Sequence, residues 1–534
     1  MKKISLLLIT TLLFVGCGSS GPDDNANTIP DDGTKYSLTY KGLRFYAQDL
    51  SPSSYGLSQV NDKTFNALSE EKKLLIADKL LSTLFFGYPL PELKTRINSG
   101  TFISSIQAQL KESKNDPDEI ERYIRNNDFF FHADYANDEV INILARFYAM
   151  DDLDSYYLDN WISYILTQTI MFSPAYELES SHEPNTERVY NAMVRNLQED
   201  STMAYSTYLH MISSDNWRRF RSPEDNGREM MEIYTLMFDD SKVPIAGKAL
   251  QNWKLDRDND TLVIGLNENR EELSLFNTTI INGDDFYREL AKSKDFQKGV
   301  TSRLVDFFLT TATANTKSSI VNDIVASNPQ NWQDVLLQLI FSKAYLFESA
   351  RAKSAVETFY SLAKKMEYKH YKSTFRNFSN ALDEMHQASM KYKLGKLKRV
   401  PLDTLSFINY HKYIRENMML RFTDAEKLNN FTDYNAHGWK PSFIADDRFN
   451  ISQDDAKTTL DSLINYLFES TISRKPKAEE LALFEKHMLE SQEGVLAYVS
   501  GFNLLKTSDR TNATILILDY ISRLNELYQY KKVQ

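Results

Sequence analysis

Glycine and proline are scarce in this chain, numbering 17 and 14 among 534 residues. A β-sandwich or barrel needs frequent turns, and turns draw on both residue types. Their scarcity favours long, uninterrupted elements, and the apolar residues accordingly recur at helical rather than alternating spacing. Ser69-Glu70-Glu71-Lys72 reads as a helix start, followed by an apolar stripe of Leu74, Leu75, Ala77, Leu80, Leu81, Leu84 and Phe85. Residues 137–150 carry Val140, Ile141, Leu144, Phe147 and Tyr148 at the same spacing, and residues 159–172 carry Trp161, Ile165, Leu166 and Ile170. The sharpest start is Ser222-Pro223-Glu224-Asp225. It combines a capping hydroxyl, a proline suited to the first helical position and two carboxylates that complement the helix dipole. Met230, Ile233, Tyr234 and Met237 then form the apolar face.

One segment departs from this pattern. Thr261–Leu266 and Glu272–Phe276 are short β-like runs on either side of Asn267-Glu268-Asn269-Arg270, and they read as a hairpin. The expected fold is therefore mostly α: a large multi-helix body with one small β-hairpin near 261–276. Hydrophobic residues make up 42% of the chain, enough to fill such a core. The expected division is a signal segment over 1–17, a linker over 18–35, a helical domain with the hairpin over 36–347, and a C-terminal helical region over 348–534 packed on the first. Two short segments echo each other. Leu84–Pro89 precedes Glu92-Leu93, and Ile472–Pro476 precedes Glu479-Glu480-Leu481. Each reads as two helices joined through a proline turn, a similarity of turn chemistry.

The first seventeen residues have a different character. A basic Met1-Lys2-Lys3 leads into an apolar run from Ile4 to Val15, which closes on Gly16-Cys17. The run is too short for a spanning helix and has the form of a secretory signal. Phe14-Val15-Gly16-Cys17 resembles the lipobox of bacterial lipoproteins, with Phe14 in the place of the usual leucine. The resemblance implies that Cys17 is lipidated, with palmitate or similar acyl chains, and becomes the membrane anchor. More than one chain is needed for stable anchoring, and a triacylated cysteine supplies them. Gly18 rather than an acidic residue follows the cysteine, which implies sorting to the outer membrane. Cys17 is the only cysteine, so no disulfide can form within the chain. The next stretch, rich in Gly, Ser, Pro, Asp and Asn, has the composition of a solvated linker.

A net charge of −11 argues against nucleic acid as a partner, because phosphate binding needs a basic surface. The sequence contains no His-Glu-x-x-His, no Gly-x-Ser-x-Gly, no phosphate loop and no dinucleotide fingerprint.

The stretch from Pro223 to Leu236, Pro-Glu-Asp-Asn-Gly-Arg-Glu-Met-Met-Glu-Ile-Tyr-Thr-Leu, resembles the signature of a secreted bacterial family known as domain of unknown function eighteen-hundred. Gly247–Trp253 resembles the family's following run, and Asn331–Leu337 and Ser342–Leu346 resemble a late helix. The resemblance spans Ser69 to Phe347. Pro223 and Asp225 stand where that signature has asparagines, and Asn226 where it has tyrosine. The family implies an exported, mostly helical protein and no established reaction.

Two clusters carry candidate chemistry. Asp225, Arg228, Glu229 and Glu232 lie within a few turns of one helix, and Arg228 and Glu232 have the i,i+4 spacing of an ion pair. As an active site they would supply a general acid/base pair. As structure they would lock the helix to its neighbours, the reading favoured here. Asp256, Asp258 and Asp260 alternate like the opening of a calcium loop. Thr261 and Asn267 stand where such a loop wants glycine and glutamate, so calcium is the one cofactor the sequence raises, on a partial match. The expected function is a cell-envelope lipoprotein, anchored through its lipid and acting as a helical scaffold or interaction module for an envelope protein partner. The alternative is an envelope hydrolase using the carboxylates around Arg228.

Overall fold

The computed structural model of the protein describes residues 57–112, 157–170, 186–198, 202–220, 222–236, 239–369, 404–418, 448–452, 455–490 and 501–533, with shorter stretches at 35–37, 143, 380–382, 385, 438–439, 492–493 and 498–499. Cys17 and, apart from Ile143, the helix expected over 137–150 lie outside the described residues. The fold is mostly helical with small antiparallel strand pairs. No helix among the described residues is long and apolar enough to cross a membrane.

Helix α1 (Glu70–Phe85) starts where its sequence predicts. Ser69 adopts extended backbone and its side chain accepts from the Lys72 amide, with Glu70 and Glu71 in the first turn. It stops at Phe86, which is left-handed at φ 56°, followed by Gly87 at φ 98°. Pro89 then opens α2 (Leu90–Asn98). The amphipathic pattern predicts one buried face, but from Ile76 to Phe85 every residue is buried. Asp78, Lys79, Ser82 and Thr83 therefore enter the interior with the aliphatic residues.

The helix Tyr157–Thr169 covers the segment expected from Asp159, with Trp161, Ile165 and Leu166 inside. The Trp161 indole donates to the Thr83 carbonyl of α1 at 3.0 Å. Helix α3 (Pro223–Thr235) begins as read: Ser222 accepts from the Asp225 amide at 3.2 Å and proline occupies the first turn. It packs against α4 (Val243–Ala249) and α5 (Lys294–Phe308).

The strand runs lie where the sequence puts them, but each closes on a nearer partner. Strand β1 (Lys35–Ser37) and strand β2 (Trp253–Asp256) flank β3 (Thr261–Gly265) in a three-stranded antiparallel sheet, with Tyr36 and Trp253 both opposite Ile264. Strand β4 (Leu273–Leu275) pairs with β5 (Thr278–Ile280), Leu273 opposite Ile280. Turn chemistry decides this. Asp256 accepts from the amides of Asp258 and Asn259, folding the chain tightly between β2 and β3. Phe276 and Asn277 are both at positive φ, as a two-residue hairpin turn requires. The segment between β3 and β4 is held instead by Asn269, which donates to Glu271 O and Ile281 O.

Beyond these, β6 (Arg351–Ala352) leads into α6 (Ala355–Lys365), and β7 (Gln529–Tyr530) pairs with β6, Tyr530 opposite Arg351. Helix α7 (Ala456–Ile472) ends at left-handed Ser473, and α8 (Ala478–Met488) follows Pro476. The two proline-turn segments echoed in the sequence thus share one design: helix, left-handed stop, proline, helix. They also touch, since Lys94 of α2 pairs with Glu469 of α7 at 2.5 Å.

Candidate functional site

The signature helix is built into a close crossing. A methyl group added at Gly227 would lie 2.7 Å from Ala246 Cβ of α4, and one at Gly247 would meet Glu224 Cα of α3 at 3.2 Å. The two glycines let α3 and α4 approach backbone to backbone. Asn226, fully buried, ties the helix inward: its Oδ1 accepts from the Tyr287 hydroxyl at 2.6 Å and its amide donates to Phe220 O at 3.2 Å.

The candidate acid/base residues differ in exposure along α3. Asp225 is exposed in the first turn, Arg228 and Glu229 are half-buried, and Glu232 is exposed. No ion pair joins Arg228 to Glu232, and Arg228 Nε is buried without a hydrogen-bond partner among the described residues. Glu232 acts electrostatically on Arg303 instead. Burial draws that guanidinium's pKa down and Glu232 opposes the shift, while Arg303 Nε donates to Ile233 O at 3.0 Å.

The three aspartates of the acidic loop serve separate purposes. Asp256 is the turn former just described, and Asp258 is exposed. Asp260, at φ 51°, bridges Arg188 at 2.8 Å and Arg218 at 2.6 Å. Arg188 also holds Asp215. Among the described residues no group of three or more His, Cys, Asp or Glu is placed to hold a metal ion.

The densest ionisable cluster lies elsewhere, where α1, β6, α6 and β7 meet. Asp78 pairs with Lys365 at 2.5 Å and accepts from the Ser82 hydroxyl at 2.9 Å. Ser82 in turn lies 3.3 Å from the Ser361 hydroxyl. Lys79 Nζ donates to Tyr345 O at 2.5 Å, to Ser349 O at 2.7 Å and to Ser349 Oγ at 2.9 Å. Arg351, 1% exposed, makes a two-pronged pair with Glu357 at 2.6 and 3.0 Å and reaches the Tyr345 hydroxyl at 3.1 Å. Glu357 also closes a capping box with Ser354 at the start of α6. Lys353, 4% exposed, makes no hydrogen bond through its amine among the described residues. That amine lies 4.9 Å from the centre of the Tyr530 ring, which Arg351 also covers at 4.7 Å.

Burial sets the protonation balance here. It would raise Asp78, but the Lys365 ammonium, joined by Lys353 when that amine is protonated, outweighs it and holds the carboxyl below its ordinary value. It pulls Lys353 down, helped by Lys365, to about 7. It pulls Lys79 well below the ordinary lysine value, with Arg351 adding repulsion. It opposes the charge on Arg351 too, but Glu357 reverses the direction and the guanidinium stays charged. Sequence reasoning missed this cluster. The available signal was Asp78-Lys79 and Ser82-Thr83 interrupting an apolar helix that has no polar face left to carry them.

Compared with known proteins, the chain matches no family model, no curated protein and no solved structure.

Proposed function

We propose that the protein is a lipid-anchored component of the bacterial cell envelope, sorted to the outer membrane, whose helical body is a scaffold for an envelope protein partner. The observation that carries this reading is the use made of the signature helix. Gly227, Gly247 and Asn226 serve packing, holding the helix that carries Asp225, Arg228, Glu229 and Glu232 against its neighbours. The N-terminal pattern ending at Cys17 and the solvated linker that follows support the anchoring half of the proposal.

The two halves are tested separately. Metabolic labelling with palmitate should mark the wild type and leave Cys17→Ser unlabelled and released from the membrane fraction; a variant that stays membrane-bound overturns the lipid anchor. Crosslinking in intact cells, followed by affinity purification and mass spectrometry, should recover one envelope protein in stoichiometric amount. If none is recovered from well-solubilised envelopes, the scaffold reading fails.

A further inference from the structure

Among the described residues the charges of the buried cluster do not balance. Where α1, β6, α6 and β7 meet sit four basic side chains, Lys79, Arg351, Lys353 and Lys365, against two carboxylates, Asp78 and Glu357, with Arg351 and Lys353 over the Tyr530 ring. Buried charges require partners, and two pairs are complete: Asp78 with Lys365, and Glu357 with Arg351. Lys79 has an acceptor for each of three hydrogens. Ser349 already donates its own hydroxyl proton to Tyr345 O at 2.8 Å, so it accepts from Lys79. Three donated bonds need three N–H groups, so these acceptors favour the ammonium form against the burial that draws Lys79 down. That leaves one positive charge without a counterion, and beside it an amine, Lys353, with no acceptor. Two more polar atoms there are buried without partners, Arg351 Nε and the Tyr530 hydroxyl.

We propose that Lys353 is a modification site for carbon dioxide, its amine forming a carbamate whose oxygens are held by the Tyr530 hydroxyl and Arg351 Nε and whose charge neutralises the cluster. In the reaction the nitrogen lone pair of the free amine forms the N–C bond, one C=O electron pair moves to oxygen, and the displaced N–H proton leaves to solvent. The product carries one negative charge. Lys79, Arg351 and Lys365 then face Asp78, Glu357 and the carbamate, three against three.

Three conditions for such a carbamate are met. The amine must be unprotonated, and burial beside Lys365 favours that form near neutral pH. The product must be shielded from the protons that reverse the reaction, and Lys353 is almost wholly enclosed. Its oxygens need donors, and the two unpartnered groups lie on the strand pair that Lys353 directly follows, Arg351 on β6 and Tyr530 opposite it on β7. Carbon dioxide is small and uncharged, so it suits an enclosed amine better than a larger electrophile would.

The test is ¹³C NMR of the full chain in ¹³C-bicarbonate buffer at pH 8 and fixed carbon dioxide pressure. The expected result is a carbamate carbonyl signal of about one per chain, weaker at pH 6, where protons compete, and missing in Lys353→Met. Tyr530→Phe removes a single donor and should lower occupancy roughly three- to tenfold. Should Lys353→Met fail to fold, trapping the carbamate as its alkyl ester in the wild type and mapping the peptides identifies the residue directly. No signal in the wild type, a signal unchanged in Lys353→Met, or a trapped ester only at other amines overturns the proposal.

Discussion

Lys364 and Lys365, neighbours on α6, hold the ends of two different helices. Lys364 Nζ donates to the Phe85 carbonyl at the end of α1 at 2.5 Å, and Lys365 Nζ reaches the Thr471 carbonyl near the end of α7 at 3.4 Å. Successive residues on a helix point about 100° apart, so one turn of α6 can serve two neighbours. Each ammonium meets the carbonyl end of a helix dipole, where positive charge is favourable. Lys364 also lies 5.5 Å from the centre of the Tyr88 ring, whereas Lys365 pairs with buried Asp78.

That difference predicts unequal costs. Lys364→Met removes a cap and should destabilise the fold by about 1 kcal/mol. Lys365→Met leaves Asp78 buried without its counterion and should cost about 3–5 kcal/mol. Urea unfolding of both variants measures this, and adding Asp78→Asn to Lys365→Met should recover a large part of the loss. Equal losses from the two single variants would contradict the assignment.

The helix crossings are testable through their glycines. A Cβ at Gly299 of α5 would lie 2.3 Å from Tyr234 O and 2.6 Å from Thr235 C, both backbone atoms of α3. A Cβ at Gly227 would meet a side-chain methyl at 2.7 Å. Gly227→Ala should cost about 1–3 kcal/mol, and Gly299→Ala the upper end of that range or more, because backbone cannot step aside. Midpoints of chemical denaturation should fall in that order.

Asn226→Ala should lower stability by about 1–3 kcal/mol, since it strands the buried Tyr287 hydroxyl and the Phe220 carbonyl. Tyr287→Phe, which removes the hydroxyl along with its need, should cost less. A melting temperature for Asn226→Ala equal to that of the wild type would show that the signature helix is not held in this way.

Lys353, Lys364 and His210 each give stability a pH dependence. Lys353 is held at about 7 in the fold against an ordinary 10.5, so between these values the unfolded chain binds a proton that the folded chain does not. Its contribution makes stability rise with pH across that window and is flat below it. For His210, burial aided by the charge of Arg219 lowers the value from 6.5 to about 4, so stability falls as pH drops through that interval. Thermal melts in carbon dioxide-free buffer from pH 3 to 10 should show both slopes. Lys353→Met should reduce the alkaline one, the rest belonging to Lys364, which burial also lowers to about 7, and His210→Gln should flatten the acidic one.

The parts of the fold that depend on local chemistry were readable from sequence. Ser69 and Ser222 cap helices as expected, because a capping hydroxyl acts on an amide three residues away. The β-runs were visible as well, but their partners were not. Pairing turned on the side chain of Asp256 and on two residues at positive φ, Phe276 and Asn277, and only the asparagine advertises that conformation. The signature cluster around Arg228 was placed on the right helix, and its residues proved to face different surroundings. The buried cluster around Lys353 was hidden because its members come from four separate elements. Periodicity marks one apolar face on α1, whereas its complete burial depends on α6 and on residues 344–349, far along the chain.

The pairing of Lys94 with Glu469 joins residues 375 positions apart, and the bonds from Lys79 to Tyr345 and Ser349 span 266 and 270. Closing loops of that length costs entropy before any contact rewards it, which slows the final step of folding. A chain emerging from its amino end makes α1 early yet cannot satisfy the ammonium of Lys79 until some two hundred and seventy further residues have appeared. Until then α1 carries a lysine whose acceptors have yet to be made, so this part of the body closes only once residues 345–349 have arrived.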